Sequence, residues 1–132
     1  MNKVETICII DDDGLYTLLL KKKLEKLSLC DKVISFPNGE NAIDSLRKNI
    51  SLSENMPDII FLDINMPIMN GWEFMEEFIK LLPQINKKIS IYISSSSIAT
   101  EDRMKAQTYQ AIENYLTKPI ENETLLEIAR LN

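Results

Sequence analysis

Histidine is missing from all 132 residues. Its absence excludes an imidazole general base, a His-ligated zinc site and an internal phosphohistidine relay. Cysteine is scarce, with Cys8 inside an apolar run and Cys30 near an expected turn. Without metal-like spacing the two read as reduced thiols of a cytoplasmic protein, Cys8 being a small core residue. With 3 glycines, 5 prolines and 45% apolar residues, the composition is that of a compact globular chain rather than a disordered one. The first apolar stretch is short and runs into Asp11, Asp12 and Asp13, so it is neither a secretion signal nor a membrane span. The net charge of -5 lacks the basic excess that direct binding to nucleic acid or an anionic membrane requires. Partners are expected to be proteins.

What is present suffices for one domain, residues 1–132, with a core that needs no disulfide or metal clip. Thr6 to Ile10 is continuous enough to be a strand buried on both faces. A helix follows Gly14, with Tyr16, Leu20, Leu24 and Leu27 on one face and Lys21, Lys22, Lys23 and Lys26 on others. Val33 to Phe36 is a second strand, and Asn38 caps a helix carrying Ala42, Ile43 and Leu46. Periodicity fails from Asn49 to Pro57, which predicts a long surface loop.

Ile59 to Leu62 then forms a strand that stops at Asp63, because Asn65, Pro67 and Asn70-Gly71 are turn formers. Asn70 with Glu73 resembles a capping box for a helix whose apolar face is Trp72, Met75, Ile79 and Leu82, ended by Pro83. Ile89 to Ile93 is the fourth strand, closing on Ser94 to Ser97. Thr100, with Glu101 and Asp102, starts a polar helix ending near Gln110. Glu113 to Thr117 is the fifth strand, ending at Lys118-Pro119, and Asn122 to Leu131 a last helix burying Leu125, Ile128 and Ala129.

Strands alternating with helices imply parallel pairing, right-handed crossovers and a doubly wound α/β sheet with helices on both faces. Sites in such sheets form at the carboxyl ends of the strands. Here those ends carry Asp11 to Asp13, Asp63, Ser94 and Lys118. Clustered carboxylates repel one another and stay ionised only with a cation, and an all-oxygen cluster suits Mg²⁺. A carboxylate is also a nucleophile toward phosphorus, and phosphoryl transfer needs mainly positioning and charge neutralisation, which a metal, a lysine and a hydroxyl supply.

These runs, Ile-Cys-Ile-Ile-Asp-Asp, Leu-Asp-Ile-Asn-Met-Pro, Asn-Gly, Ile-Ser-Ser and Tyr-Leu-Thr-Lys-Pro, resemble in order the receiver domain of two-component response regulators, including single-domain receivers of the chemotaxis type. The resemblance spans nearly the whole chain and implies a (βα)5 flavodoxin-like fold with strand order 2-1-3-4-5. It makes Asp63 the phosphoacceptor, with Asp11, Asp12, Asp63 and the backbone carbonyl of Asn65 holding Mg²⁺. Ser94 becomes the hydroxyl that bonds the phosphoryl group, Ser95 its small neighbour and Lys118 the paired cation, with Lys118-Pro119 cis. Tyr115 becomes the aromatic that turns when Ser94 moves, while Asn65 and Ser96 flank the path of hydrolytic water. Asp13 is expected to be a neighbour rather than a ligand.

Departures from the family pattern are the long loop before the third strand, Tyr109-Gln110-Ala111 where a glycine is common, and Ile120 in place of an aromatic. The implied donor is a histidine kinase or a histidine phosphotransfer protein, docking on Leu15, Leu19 and the loop around Pro119 and Ile120. A downstream protein target and a phosphorylation-dependent dimer complete the implied partners. Two other functions compete. Asp11-Asp12-Asp13-Gly14 fits the Asp-x-Asp-Gly signature of haloacid-dehalogenase-like phosphatases, with Asp11 as nucleophile, and a receiver-like module can bind partners without being phosphorylated. No output domain follows the last helix, so the chain reads as a stand-alone receiver or a domain cut at its edge.

Overall fold

A computed structural model describes residues 4–132; the first three residues of the expected domain lie outside them. The elements are β1 (Val4–Ile10), α1 (Gly14–Lys26), β2 (Cys30–Phe36), α2 (Gly39–Lys48), β3 (Ile59–Leu62), α3 (Gly71–Leu81), β4 (Ser90–Ser95), α4 (Thr100–Gln107), β5 (Ile112–Thr117) and α5 (Asn122–Leu131). All strand pairs are parallel and the order is β2-β1-β3-β4-β5. This is the doubly wound flavodoxin-like topology expected from the sequence. No helix among the described residues is long and apolar enough to cross a membrane.

The central strands explain the two-sided core. Successive side chains of a strand point to opposite faces, so Ile7, Ile9, Ile59 and Phe61 pack with Leu20 and Leu24 of α1 and Leu125, Ile128 and Ala129 of α5. Cys8, Ile10, Ile60 and Leu62 face the other layer, built from Ala42, Ile43 and Leu46 of α2 and Phe74, Met75, Phe78 and Leu81 of α3. Both cores depend on the apolar runs 7–10 of β1 and Ile59–Leu62 of β3, each of which ends at a carboxylate, Asp11 and Asp63. β2 and β5, at the sheet edges, are only partly buried.

Several expectations need correction. The buried stripe of α3 is Gly71, Phe74, Met75, Phe78 and Leu81, whereas Ile79 and Leu82 are exposed. The adjacent diagonal wins because the stacked rings of Phe74 and Phe78, 5.7 Å apart, fill the core. Trp72 lies at the margin and stacks on Tyr109 at 6.0 Å. α4 ends at Gln107, three residues before Gln110, and its cap position is Ala99. Thr100 is thus the first helical residue, and the Ser97 hydroxyl organises the turn, accepting from the Ala99 N–H at 3.2 Å and donating to Asp102 at 2.7 Å. The 49–57 segment contains a single 3-10 turn, Ser53–Asn55, with Met56 buried beside it. The caps at Asn38 and Asn70 form as expected, the second as a full capping box with Glu73.

Gly71 fixes α3 against the end of β3. A Cβ there would lie 2.4 Å from the Asp63 carbonyl oxygen and 3.0 Å from the Ile64 Cα, and backbone cannot swing aside as a side chain can. The Gly71 N–H donates to the Ile64 carbonyl at 2.8 Å, so the close approach is used. Gly71→Ala is expected to cost about 2–3 kcal/mol through forced displacement, measured by urea unfolding. A loss below about 0.5 kcal/mol, the range of a neutral surface change, would contradict this packing.

Candidate functional site

Four strand ends meet at one rim. β1 continues into Asp11, whose N–H still donates to Phe36 of the neighbouring β2 at 3.0 Å, and β3 continues into Asp63, whose N–H donates to Ile10 at 2.9 Å. The sheet ladder therefore holds both carboxylates beyond the last apolar residue. Each is nearly buried, 4% exposed for Asp11 and 7% for Asp63, while Asp12 is exposed. β4 contributes Ser94 and Ser95, both buried. The Lys118 N–H donates to the Ser95 carbonyl at 2.8 Å, which aligns the end of β5, and the Lys118-Pro119 bond is cis.

The Lys118 ammonium joins the two buried acids. Its Nζ lies 2.7 Å from Asp11 Oδ2 and 3.7 Å from Asp63 Oδ1. The remaining contacts of the acids are backbone: Asp11 Oδ1 accepts from the Asp13 N–H, and Asp63 Oδ1 from the Ile64 N–H, each at 2.9 Å. Ligand atoms of Asp11, Asp12 and Asp63 all fall within 4.8 Å of one another. Asp13 stands apart, capping α1 by accepting from the Tyr16 N–H at 3.0 Å. That use takes away the second aspartate of the Asp-x-Asp-Gly signature, and the haloacid-dehalogenase-like reading is not favoured.

Burial and crowded charge both bear on the acid–base balance of the site. Burial, followed by the negative charge of Asp11, pushes the Asp63 carboxyl up to about 6, against the opposing pull of Lys118 and the Ile64 N–H. Burial works against the Lys118 ammonium as well, yet the hydrogen bond and charge of Asp11, with the charge of Asp63, hold it above the ordinary lysine value. One lysine thus leaves the acidic cluster short of positive charge. A hard dication fits this donor set of carboxylate oxygens.

The loop after Asp63 turns the chain away from it. The Met69 N–H donates to the Pro67 carbonyl at 2.7 Å across Ile68, whose φ is 69°. This three-residue turn is the rare, strained γ form, and a β-branched residue in it is an outlier. Ile68 is 72% exposed, so the conformation serves the loop path rather than packing. Asn65, two residues past Asp63, is exposed, as is Ser96 two residues past Ser94.

Tyr115 is half-buried, and its hydroxyl donates to the Ser97 carbonyl at 2.8 Å, linking β5 to the loop that follows Ser94. The Arg103 guanidinium lies 4.9 Å from its ring centroid. Leu15 and Leu19 are exposed as expected of a docking face, but Ile120 is 3% exposed and packs in the α1/α5 core. Ile120 is thereby removed from the expected docking surface; Pro119 remains exposed.

Sequence reading missed Tyr16. Assigned only to the apolar face of α1, it places its hydroxyl 3.0 Å from Ser94 Oγ and its ring centroid 4.3 Å from Lys118 Nζ. The available signal was its place in the first turn after an acidic strand end, where a long side chain reaches the rim.

The chain is similar to known proteins in both sequence and fold. The family model for the response regulator receiver domain matches residues 7–130. A protein-glutamate methylesterase/protein-glutamine glutaminase of Burkholderia thailandensis is 34% identical over 113 residues, covering 86% of this chain. The chain spans only 29% of that relative's length. The crystal structure of a two-component response regulator from Cytophaga hutchinsonii superimposes with a TM-score of 0.86 at 26% identity, covering 98% of this chain and 99% of that one. A response regulator receiver protein from Dyadobacter fermentans gives 0.83 at 30% identity, with 96% of both chains covered.

The raised Asp63 carboxyl sets a pH dependence. The folded chain holds the Asp63 proton more tightly than the unfolded chain, so its contribution to stability is full below about pH 4 and is lost as pH rises through about 6. Asp63→Asn cannot ionise. In EDTA the variant is expected to be more stable than wild type at pH 7.5, by on the order of 2 kcal/mol, with the difference shrinking toward zero at pH 4. Urea unfolding at the two pH values measures it, and an equal difference at both would contradict the charge account.

Proposed function

The chain belongs to the response regulator receiver domains, signalling modules of two-component systems, and from that premise we propose that Asp63 accepts a phosphoryl group from a phosphohistidine donor. The observation carrying this reading is the convergence of Asp11, Asp63, Ser94 and Lys118 from four strand ends, with the Lys118 ammonium between the two buried acids. An Asp63 carboxylate oxygen attacks phosphorus, the bond from phosphorus to the donor nitrogen breaks with its electron pair leaving on that nitrogen, and an acyl phosphate results. Lys118 pairs with the transferred group's negative charge, Ser94 donates a hydrogen bond to it, and the small Ser95 leaves room for approach.

Asp11, Asp12, Asp63 and the Asn65 backbone carbonyl would hold Mg²⁺, a fit supported by the clustering of three carboxylates and by the raised Asp63 carboxyl. When bound, the ion neutralises negative charge on the acids and on phosphate oxygens. The chain itself does the orienting: the Ile64 N–H fixes one Asp63 oxygen, and Lys118 shifts its pairing from Asp11 toward the new dianion. Asn65 and Ser96, exposed beside the site, flank the path of the water that removes the phosphate.

Output passes through β4 and β5. Drawing Ser94 toward the phosphoryl group displaces the loop that follows it, and the Tyr115 hydroxyl, bound to Ser97 in that loop, follows. A local charge is thereby converted into a changed α4–β5 surface. The partners are a histidine kinase or histidine phosphotransfer protein docking near Leu15, Leu19 and Pro119, and a downstream protein reading the altered face, with phosphorylation-dependent dimerisation as one such readout. On this reading residues 1–132 are a single cytoplasmic receiver whose only catalysis is its own Mg²⁺-dependent phosphorylation and dephosphorylation.

Acetyl phosphate with Mg²⁺ is expected to add one phosphoryl group per chain, seen by intact-mass spectrometry, and to add none to Asp63→Asn. Modification that persists in the variant would remove Asp63 as the acceptor.

A further inference from the structure

Resting on that reading, we propose that Tyr16 is a latch on the switch hydroxyl: its phenol holds Ser94 in the resting position and must release it before the phosphoryl group on Asp63 can be bound. Tyr16 is a positioning residue here, acting through Ser94 rather than on the phosphoryl group itself.

The geometry has three parts. Asp13 caps α1 by accepting from the Tyr16 N–H, so the backbone of Tyr16 is fixed to the same strand end that carries Asp11 and Asp12. From there the phenol reaches across the rim to Ser94, with oxygens 3.0 Å apart. Ser94 is 1% exposed, which leaves it no free exchange with solvent and makes the phenol its partner in the resting chain. Finally, the Lys118 ammonium sits 4.3 Å from the Tyr16 ring centroid while it pairs with Asp11, a favourable position for a cation over an aromatic face. The two groups that the phosphoryl group must recruit, Ser94 and Lys118, are thus both held by one side chain.

The energetic consequence follows from competition. A buried hydroxyl cannot leave one partner without giving up that bond, and the resting bond lowers the free energy of the unphosphorylated state only. Removing it favours the phosphoryl-bound state. A single neutral hydrogen bond corresponds to an effect of roughly two- to tenfold in an equilibrium constant. Tyr16→Phe deletes the phenol oxygen and keeps the ring beneath Lys118, so it isolates the latch from the cation contact.

The test is the affinity of the full chain for beryllofluoride, a phosphoryl mimic, in saturating Mg²⁺, measured by calorimetry in a double-mutant cycle. Tyr16→Phe is expected to tighten binding roughly two- to tenfold in the presence of Ser94 and to have no effect in a chain that also carries Ser94→Ala. A purely structural role for the phenol would not produce that dependence on Ser94. Weaker or unchanged binding in Tyr16→Phe overturns the latch, as does equal tightening in both backgrounds. Failure of the wild-type chain to bind the mimic at all overturns the acceptor assignment as well, which distinguishes the two failures.

Discussion

Repulsion among carboxylates is the constraint on which the rest of this structure depends. Asp11 and Asp63 are nearly buried at adjacent strand ends, and Asp12 brings a third ligand oxygen within 4.8 Å. Left to itself, such a cluster would spread apart or take up protons. The parallel ladder prevents spreading, because the N–H groups of Asp11 and Asp63 are still paired with Phe36 and Ile10. Lys118 supplies one positive charge, yet burial first and the charge of Asp11 second still raise the Asp63 carboxyl to about 6. On the proposed function, added positive charge completes the site.

The surrounding features protect that unfavourable arrangement. Gly71 lets α3 start against the Asp63 carbonyl, where any Cβ would collide with backbone. The capping box of Asn70 and Glu73 fixes the same helix end, and the strained turn at Ile68 carries the chain away from the carboxylate. Burial of Phe74 and Phe78, about 1.5–3 kcal/mol each, offsets such local costs in the layer directly beneath. The loop joining Ser94 to α4 has less behind it. Ala106 is the only buried residue of α4, and the Ser97–Asp102, Ser97–Tyr115 and Trp72–Tyr109 contacts tie the region down. A region held by a few polar contacts is where a small shift at Ser94 can be expressed.

Much of this was legible in the sequence because it depends on local rules. Apolar runs ending in a polar residue located β1, β3 and β4, and side-chain caps located the starts of α2 and α3. The order of Asp11, Asp63, Ser94 and Lys118 along an alternating strand and helix pattern was enough to bring them to one rim. What was not legible depends on the identity of neighbours in space. Both diagonals of α3 are apolar, and only the fit of Phe74 and Phe78 between the sheet and α2 selects one. Ile120 looked like part of an exposed loop but fills the α1/α5 core. Tyr16 satisfied a helical spacing as a core residue, and nothing in that spacing revealed that its hydroxyl ends beside Ser94.

If the cluster is held in readiness for a cation, binding of Mg²⁺ tests it most directly. Calorimetric titration of Mg²⁺ into the unphosphorylated chain at pH 7.5 is expected to show one saturable site, lost in Asp12→Asn, a change at an exposed position outside the core. Absence of saturable binding in the wild-type chain, or binding undiminished by Asp12→Asn, would contradict the account.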